Sequence, residues 1–420
     1  MSIVTTFESQ CRALTSTPSP DENASRFIVS TLNPNAPDNL LYLFEYKDDN
    51  NNLAKISFKF PFGESWHLSS SSKHPRLLSA VLGNRGKLGV SVFKLPDELD
   101  LSLDDDFGFS DSQIERVYEP ISDCKDLVRQ SHWHPENSCQ LLTCKDGGMQ
   151  FWDVEEQKSI RDFSLLAPAE TSLNLNESEK QPKLRPTHIT DLRWSSLFNC
   201  SVVAAAIGPR IYGVDTRIPD SSSASICWLI EDLRCNRIRT IDFNPNSQYY
   251  IASGGDDCRA NFWDLRQTSS PALRMQPHTH WIWSIRYNPF HDQLVLTSGG
   301  DSRVALLRAQ SVASEPYGQM ADDDEDEAEE NSEETENEGE ADENYKDQES
   351  EIRSVEGGDG LTNKRDKSFT DEVVNIYEEH DDSVYATEWA TDPWIFATLG
   401  FESRLVINKV PKAEKFNILF

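Results

Sequence analysis

The chain has 420 residues, of which 71 are acidic and 40 are basic, so its formal net charge is −31. A chain this acidic lacks the concentrated positive charge that binding to nucleic-acid phosphates or to anionic membranes requires. Hydrophobic residues make up 37% of the chain, a modest deficit that indicates a globular body carrying a polar insertion rather than a disordered protein.

The sequence also argues against membrane spanning and secretion. Residues 1–7 place no basic segment ahead of an apolar run, and the longest apolar run, 202–207, is far shorter than the ~20 residues that cross a bilayer. We therefore expect a soluble cytoplasmic protein. None of its eight cysteines forms a CxxC pair, which favours reduced, buried cysteines over zinc or redox chemistry.

Predicted strands recur along the chain at intervals of ~40–50 residues, the spacing of WD-repeat blades. In chain order, they fall at 26–31 and 40–46, then near 66–93, and then within 124–154, 188–217, 236–267, 283–307 and 380–408. Gly/Asp turns such as Gly254-Gly255-Asp256 supply the positive φ angles of tight hairpins between the strands. The pattern predicts an all-β fold, a single seven-bladed WD-repeat β-propeller that spans residues 1–420.

Three insertions interrupt this period, at 97–119, 160–186 and 317–371. Within the third, residues 322–351 hold 18 acidic residues and one lysine, too little apolar surface to order the segment. The third insertion is therefore predicted to be a disordered acidic loop. Because residues 373–377 have the pattern of a fourth strand, we expect this loop to be inserted within a blade.

WD blades often connect a His, a Ser or Thr, an Asp and a Trp by hydrogen bonds, and this chain carries incomplete copies of that set. The predicted copies are His278, Ser298 and Asp301, with Leu307 in place of Trp; Ser253, Asp257 and Trp263, with Arg234 in place of His; and His380 and Thr398, followed by Glu402 and Asn408. Their recurrence from blade to blade favours a structural role over a Ser/His/Asp hydrolase triad.

Two His-x-His pairs, His132/His134 and His278/His280, could place two metal ligands on one strand face, but no third ligand has a suitable spacing. The chain contains no P-loop and no GxGxxG motif after a strand. The sequence therefore predicts no catalytic residues, no metal site and no cofactor.

Propellers bind partners on their narrow face, where the innermost strands begin. Counting five residues past each His-equivalent position selects Trp66, Arg129, Thr190, Arg239, Trp283 and Tyr385. Trp, Tyr and Arg dominate binding hot spots, so all of these except Thr190 form the candidate partner-binding site. The alternative for Trp66 and Trp283 is that their rings only fill the packing between blades.

Several strings within the repeats are more specific than general WD-repeat patterning. They include GESWH at 63–67, GDDC at 255–258, HWIW at 280–283, YEEHDDSVY at 377–385 and RLVINKVP at 404–411. In these strings the chain resembles the EARP and GARP complex-interacting proteins, a WD-repeat family.

The resemblance implies a non-enzymatic adaptor of the endosome-associated recycling and Golgi-associated retrograde complexes, which are multisubunit vesicle tethers. The implied roles are endosomal recycling, endosome-to-Golgi retrograde transport and sorting of secretory cargo. The implied location is cytoplasmic, peripheral to the trans-Golgi network and endosomes.

A second resemblance points to a different class of protein. Trp263-Asp264-Leu265-Arg266 resembles the short box with which WD proteins dock on cullin-RING ubiquitin ligases as substrate receptors, and residues 214–217 are a weaker copy. In this alternative Arg266 is the docking residue, supported by Trp263 and Asp264, and the partner is a ligase adaptor. Co-purification of tether subunits or of a ligase adaptor with its cullin separates the two hypotheses.

Overall fold

A computed structural model describes residues 2–21, 23–49, 51–84, 87–96, 113–124, 128–145, 148–165, 188–218, 225–314 and 371–419. In these ranges, 28 strands form seven antiparallel sheets of four strands each. The innermost strands of consecutive sheets are neighbours all the way round, from β2 through β26 and back to β2. The predicted seven-bladed all-β propeller is confirmed, and a central channel runs between the innermost strands.

The first three blades follow one another along the chain. Blade 1 contains β2 (Cys11–Thr17), β3 (Ala24–Thr31), β4 (Leu40–Lys47) and β5 (Asn52–Lys59). Blade 2 contains β6 (Glu64–Ser70), β7 (Leu77–Asn84), β8 (Lys87–Lys94) and β9 (Glu115–Cys124). Blade 3 contains β10 (Ser131–Trp133), β11 (Gln140–Lys145), β12 (Gly148–Asp153) and β13 (Lys158–Ser164).

The next three blades keep the same order of strands. Blade 4 contains β14 (Asp191–Trp194), β15 (Val202–Ile207), β16 (Arg210–Asp215) and β17 (Ile226–Glu231). Blade 5 contains β18 (Ile238–Phe243), β19 (Tyr250–Gly255), β20 (Ala260–Asp264) and β21 (Leu273–Met275). Blade 6 contains β22 (Ile282–Tyr287), β23 (Leu294–Gly299), β24 (Val304–Arg308) and β25 (Glu372–Tyr377).

Blade 7 joins the two ends of the chain. It contains β26 (Val384–Trp389), β27 (Ile395–Gly400), β28 (Arg404–Lys409) and, as its outer strand, β1 (Ile3–Thr6). Strand β1 runs antiparallel to β28, with Ile3 opposite Ile407. The ring is therefore closed by hydrogen bonds between the beginning and the end of the sequence, which cover an edge of β28 that would otherwise be exposed.

The core lies between the blades, because both faces of most middle strands are covered. In β15 all six residues are buried: Val203 and Ala205 pack toward blade 3, whereas Val202 and Ala204 pack toward blade 5. This follows from the two-residue period of a strand, which sends alternate side chains to opposite faces. Seven apolar clusters result, one at each blade interface.

The segments predicted as insertions largely lie outside the described residues, which exclude 97–112, 166–187 and 315–370. The predicted boundaries need correction where strands are seen. Strand β9 begins at Glu115, inside the predicted insertion 97–119, and β13 continues to Ser164, inside 160–186. Both are outer strands; β13 is almost entirely exposed, so its sequence lacks the apolar alternation that identified the inner strands.

Strand β25 is the fourth strand of blade 6, as its pattern predicted, and pairs with β24 so that Arg308 faces Glu372. After β28 the chain forms helix α1 (Lys412–Leu419). Its Glu414 is buried and accepts a hydrogen bond from Arg308 Nε at 2.8 Å. The helix is thereby held against blade 6.

Candidate protein-interaction site

A cavity of about 630 Å³ opens at the end of the channel where the innermost strands begin. Each blade contributes one equivalent residue to its lining, and we call this set the mouth ring. The mouth ring consists of Arg12, Trp66, Arg129, Thr190, Arg239, Trp283 and Tyr385. The structure thus brings together all six positions selected from the sequence and adds Arg12.

A β-bulge directs five of the mouth-ring side chains into the cavity. In blades 1, 2, 5, 6 and 7 the pairing between the first and second strands skips one residue of the first strand. The skipped residues are Arg12, Trp66, Arg239, Trp283 and Tyr385. A β-bulge of this kind leaves one residue unpaired and redirects its side chain. This explains why a large polar or aromatic residue can directly follow a buried one in each of these strands.

Aromatic rings and arginines form a continuous row of contacts along one side of the mouth ring. The guanidinium carbon of Arg12 lies 5.0 Å from the ring centroid of Trp66 and 4.9 Å from that of Tyr385. Tyr385 contacts Trp283 edge to face, with centroids 5.5 Å apart. Arg239 lies over Trp283 at 4.4 Å. Such cation–π and edge-to-face contacts hold the side chains in defined positions.

Trp66 is the most accessible aromatic residue of the mouth ring. Its indole N–H donates to Glu64 at 3.2 Å, and the ring lies against Gly83, where a β-carbon would be 2.7 Å from Nε1. Trp66 is exposed, whereas Trp283 is half-buried and its Nε1 has no hydrogen-bond partner among the described residues. The alternative that the ring only fills the packing between blades therefore suits Trp283 better than Trp66.

Below the mouth ring, charged side chains line the channel wall in blades 4 to 7. Arg193 lies 3.7 Å from Asp191, and Arg286 lies 3.7 Å from Glu388. Asp191 accepts the backbone N–H of Ile241 in the next blade at 2.8 Å. These carboxylates thus join neighbouring blades from inside the channel.

Enclosure in the channel changes how these groups titrate. It raises the pKa of Asp242 and of Glu388 to about 7, against the attraction of Arg193. It lowers the pKa of His67 to about 4, and the positive charge of Arg193 acts in the same direction. The channel wall therefore favours neutral forms of these side chains near neutral pH.

The histidine networks predicted from the repeats are present, with one correction. His278 contacts Asp301 through Nδ1 at 2.9 Å, but its Nε2 contacts Thr297 rather than Ser298, at 3.0 Å. Adjacent strand residues point to opposite faces, and Ser298 instead donates to the carbonyl of Val384 in blade 7. The prediction was wrong by one residue because it followed sequence spacing without the strand register.

The network in blade 7 forms as predicted. His380 contacts Glu402 at 2.6 Å and Thr398 at 2.8 Å, so Glu402 takes the place of the usual Asp. His380 is buried and burial lowers its pKa. These contacts tie the loop before the innermost strand to the second strand of the blade.

In blade 5 the predicted residues Ser253, Asp257 and Trp263 do not form one hydrogen-bonded network. Trp263 donates to Ser253 at 2.9 Å, but Asp257 accepts instead from Asn261 at 3.2 Å, as does Asp232. In other WD blades the His of the loop makes this contact with the blade, but here Arg234 stands in its place. Asp232, in the same loop and not identified from the sequence, makes the contact instead.

The His-x-His pairs point away from a shared ligand. His132 packs edge to face on His67, and His134 on Trp194, while His280 packs on Trp281. Within the described ranges, no group of three His, Cys, Asp or Glu side chains is arranged to hold a metal ion. No helix in those ranges has the length and apolar character to cross a membrane.

The Trp-Asp-x-Arg box lies at the other end of blade 5 from the mouth ring, because Asp264 pairs with Tyr250 at the start of β19. Trp263 is buried, but the Arg266 side chain is 58% exposed. Arg266 forms a two-point ion pair with Asp264, at 2.9 and 2.7 Å, and lies 4.4 Å over the ring of Tyr249. Its guanidinium is accessible but already held within the blade.

The sequence missed three arginines that line the mouth cavity, Arg12, Arg237 and Arg286. Arg12 was overlooked because β2 was not identified as the first strand of blade 1. The available signal was a large residue between two small or apolar ones, as in Cys11-Arg12-Ala13 and Val384-Tyr385-Ala386. Arg237 lies in the loop before β18 and contacts His188, a pairing between blades with no local sequence signal.

Seven four-stranded blades with buried Trp–Ser/Thr hydrogen bonds define this chain as a WD-repeat β-propeller. The family model described as EIPR1 beta-propeller matches residues 2–307, and the chain belongs to this family. Similar proteins include the EARP and GARP complex-interacting protein 1 of Homo sapiens and the EARP-interacting protein homolog of Gekko japonicus. Each is 34% identical over 98% of this chain and 97% of the relative. EARP-interacting protein 1 of Caenorhabditis elegans is 25% identical over 98% of this chain and 96% of the relative.

Proposed function

We propose that this protein is a non-enzymatic adaptor that binds the EARP and GARP vesicle-tethering complexes. The observation that carries the proposal is the similarity, over nearly the whole of both chains, to proteins named as interactors of those complexes. The roles we propose are endosomal recycling, endosome-to-Golgi retrograde transport and sorting of secretory cargo. The proposed location is cytoplasmic, peripheral to endosomes and the trans-Golgi network.

We further propose that the tether binds at the mouth ring. Its aromatic and arginine side chains are of the types that dominate binding hot spots, and they surround a cavity in which a partner would exclude water. Arg12 is held between the rings of Trp66 and Tyr385. A surface that is already ordered loses little conformational entropy when a partner binds.

The proposal is tested by purifying the tagged full-length protein from cells and quantifying the tether subunits that accompany it. Trp66→Ala and Trp283→Ala should each weaken this association by about 30–1,000-fold, the effect of losing about 2–4 kcal/mol at a hot spot. Arg266→Ala, at the opposite end of blade 5, is the matched control and should retain the tether.

Thermal unfolding of the same variants separates binding from packing. If Trp283→Ala lowers mainly the melting temperature, as truncation of a packed aromatic residue would, its ring is structural and Trp66 alone tests the interface. Retention of the tether by the folded Trp66→Ala variant would contradict the placement of the interface at the mouth ring.

A second candidate function is supported by the exposure of Arg266. Asp215 and Arg217 in blade 4 form the same two-point ion pair as Asp264 and Arg266, so two blades present a similar arginine. As a substrate receptor of a cullin-RING ligase, the protein would bring a ligase adaptor and cullin into the same purification. Arg266→Ala would then remove them while leaving any tether subunits in place.

A further inference from the structure

The cavity at the mouth ring is basic although the chain as a whole is strongly acidic. Its lining contains six basic side chains, Arg12, Lys87, Arg129, Arg237, Arg239 and Arg286, but only three acidic ones, Glu64, Asp191 and Glu388. In a protein with a formal net charge of −31, this local reversal marks a surface that attracts negative charge.

Three of these arginines lack a carboxylate partner. Arg239 is paired with Asp256 at 2.5 Å. Arg12, Arg129 and Arg237 form no ion pair within the part of the chain that the structure describes. Arg12 is instead held between aromatic rings, and Arg237 by the His188 imidazole. Their guanidinium groups can therefore still donate hydrogen bonds to the carboxylates of a partner.

The positive charges of these arginines also repel one another. Burial lowers the pKa of Arg12 and of Arg237, and the positive charge of Arg129 lowers both further. Positive groups that are partly desolvated and close together are stabilised when negative charge is added between them. A negatively charged ligand in the mouth cavity would therefore reduce the repulsion between these arginines.

Exposed apolar side chains surround this positive charge on the same face. Trp281 lies beside Arg239, with the guanidinium carbon 4.2 Å from its ring centroid, and Phe401 contacts Tyr385 edge to face. Leu233, in the loop that leads into blade 5, is 85% exposed. Trp66 lies next to the unpaired Arg12, and Trp281 next to Arg239, so apolar contacts are available beside the arginines of the cavity.

We propose that the mouth cavity binds an acidic peptide segment whose carboxylates pair with Arg12, Arg129 and Arg237 and whose apolar side chain contacts Trp66 or Trp281. This inference rests on the proposed adaptor function, since it assigns the chemistry of the segment that the partner supplies. The three arginines come from blades 1, 3 and 5, with Trp66 of blade 2 and Thr190 of blade 4 between them around the cavity. An extended chain with several carboxylates therefore fits them better than one phosphate group.

The probe for this proposal is a displayed library of random linear peptides selected on the full-length protein, which requires no knowledge of the partner. Enriched peptides should combine Asp or Glu with an aromatic or aliphatic residue, and their affinity should fall as salt concentration rises. Enrichment of basic or uncharged sequences, or no enrichment at all, would overturn the proposal.

Charge reversal then tests the assignment to particular residues. Arg129→Glu and Arg237→Glu should each weaken binding of an enriched peptide by roughly 10–100-fold, the effect of losing one charge-assisted pair. Arg234→Glu is the matched control, because Arg234 is an exposed residue of the loop that carries Arg237 but does not line the cavity. Equal weakening by all three variants would show only a general charge effect and would overturn the site.

The failure of this inference is distinguishable from failure of the proposed function. If tether subunits co-purify equally with wild type and with the folded Arg129→Glu and Arg237→Glu variants, the adaptor function stands and the acidic-segment site is wrong. If acidic peptides bind at these arginines but no tether subunit co-purifies, the site stands and the proposed partner is wrong.

Discussion

Thr297 illustrates how one side chain connects elements of a blade. It lies on the second strand of blade 6, where it is completely buried and meets Nε2 of His278. The other ring nitrogen of His278 meets Asp301 in the turn. The loop, strand and turn of the blade are therefore joined through a single imidazole.

We expect Thr297→Val to lower the free energy of unfolding by about 1–3 kcal/mol, because it leaves a buried imidazole nitrogen of His278 without a partner at nearly unchanged volume. The measurement is chemical or thermal unfolding of the purified protein. Asp301→Asn should also be destabilising, because an amide nitrogen cannot accept the Thr279 N–H that the Asp301 carboxylate accepts at 2.9 Å. A neutral result for Thr297→Val would show that the contact contributes no stability.

Asp242 should make stability depend on pH. Its folded-state pKa is raised to about 7 by enclosure, with Asp191 and Glu388 adding repulsion and Arg193 and the Tyr287 N–H opposing the shift. The stabilisation that protonated Asp242 provides is complete below its unfolded-state pKa of about 4 and is lost as pH rises toward 7.

We therefore expect Asp242→Asn to raise the free energy of unfolding by about 1–3 kcal/mol at about pH 8 and to change it little near pH 4 to 5. The asparagine oxygen can still accept the Tyr287 N–H, which is 2.8 Å from the carboxylate. Melting temperatures of wild type and variant at both pH values provide the measurement. Equal destabilisation at both would contradict the raised pKa.

At the scale of elements, the bulged innermost strands position side chains at the cavity, whereas the outer strand β1 contributes mainly backbone hydrogen bonds. The bulges place Arg12, Trp66 and Tyr385 at the channel mouth, while the residue before each of them in the strand remains buried. Strand β1, in contrast, has no fully buried residue, so its contribution comes mainly from backbone pairing with β28.

Deleting residues 2–6 should lower the free energy of unfolding by about 2–4 kcal/mol, because four residue pairs of the β1–β28 ladder are lost at about 1 kcal/mol each. Phe7, which packs in the cluster between blades 7 and 1, is retained. Thermal unfolding and sedimentation velocity measure stability and association through the exposed edge of β28. Deletion of 322–326 provides a control of equal length, and the same effect of both deletions would refute closure by β1.

At the scale of the whole molecule, the two ends of blade 6 have different neighbours. The mouth ring lies where β22 begins, and Ile282 there pairs with Gly299. Arg308, at the other end of blade 6, pairs with both Leu294 and Glu372. The described strand ends Arg308 and Glu372, between which the acidic insertion falls in the sequence, therefore lie at the end of blade 6 opposite the mouth cavity.

Deletion of residues 322–351 should leave the melting temperature within a few degrees of wild type. The strands on either side, β24 and β25, pair directly with each other, so shortening the connection changes only its closure entropy, by about 0.6 kcal/mol for a halved loop. Differential scanning fluorimetry measures the outcome. A large loss of cooperativity would show that the tract contributes to the folded propeller.

The sequence by itself determined the blade count and six of the seven mouth-ring positions, since strand alternation and Gly/Asp turns are local patterns that recur with each blade. It also located β25, because a short apolar strand is recognisable even beyond a long insertion. The exposed outer strands β9 and β13 were partly missed, because solvent on their outer side removes the selection for alternating apolar residues.

Tertiary structure alone decided the features that depend on ring closure and strand register. Closure pairs Ile3 with Ile407 and places Arg12 between Trp66 and Tyr385, contacts between residues that no local pattern relates. Register decided that Thr297 rather than Ser298 meets His278, since a shift of one residue in a strand exchanges its two faces. The physical reason is common to all of these: local periodicity specifies each blade, but side chains from different blades meet only once the channel exists.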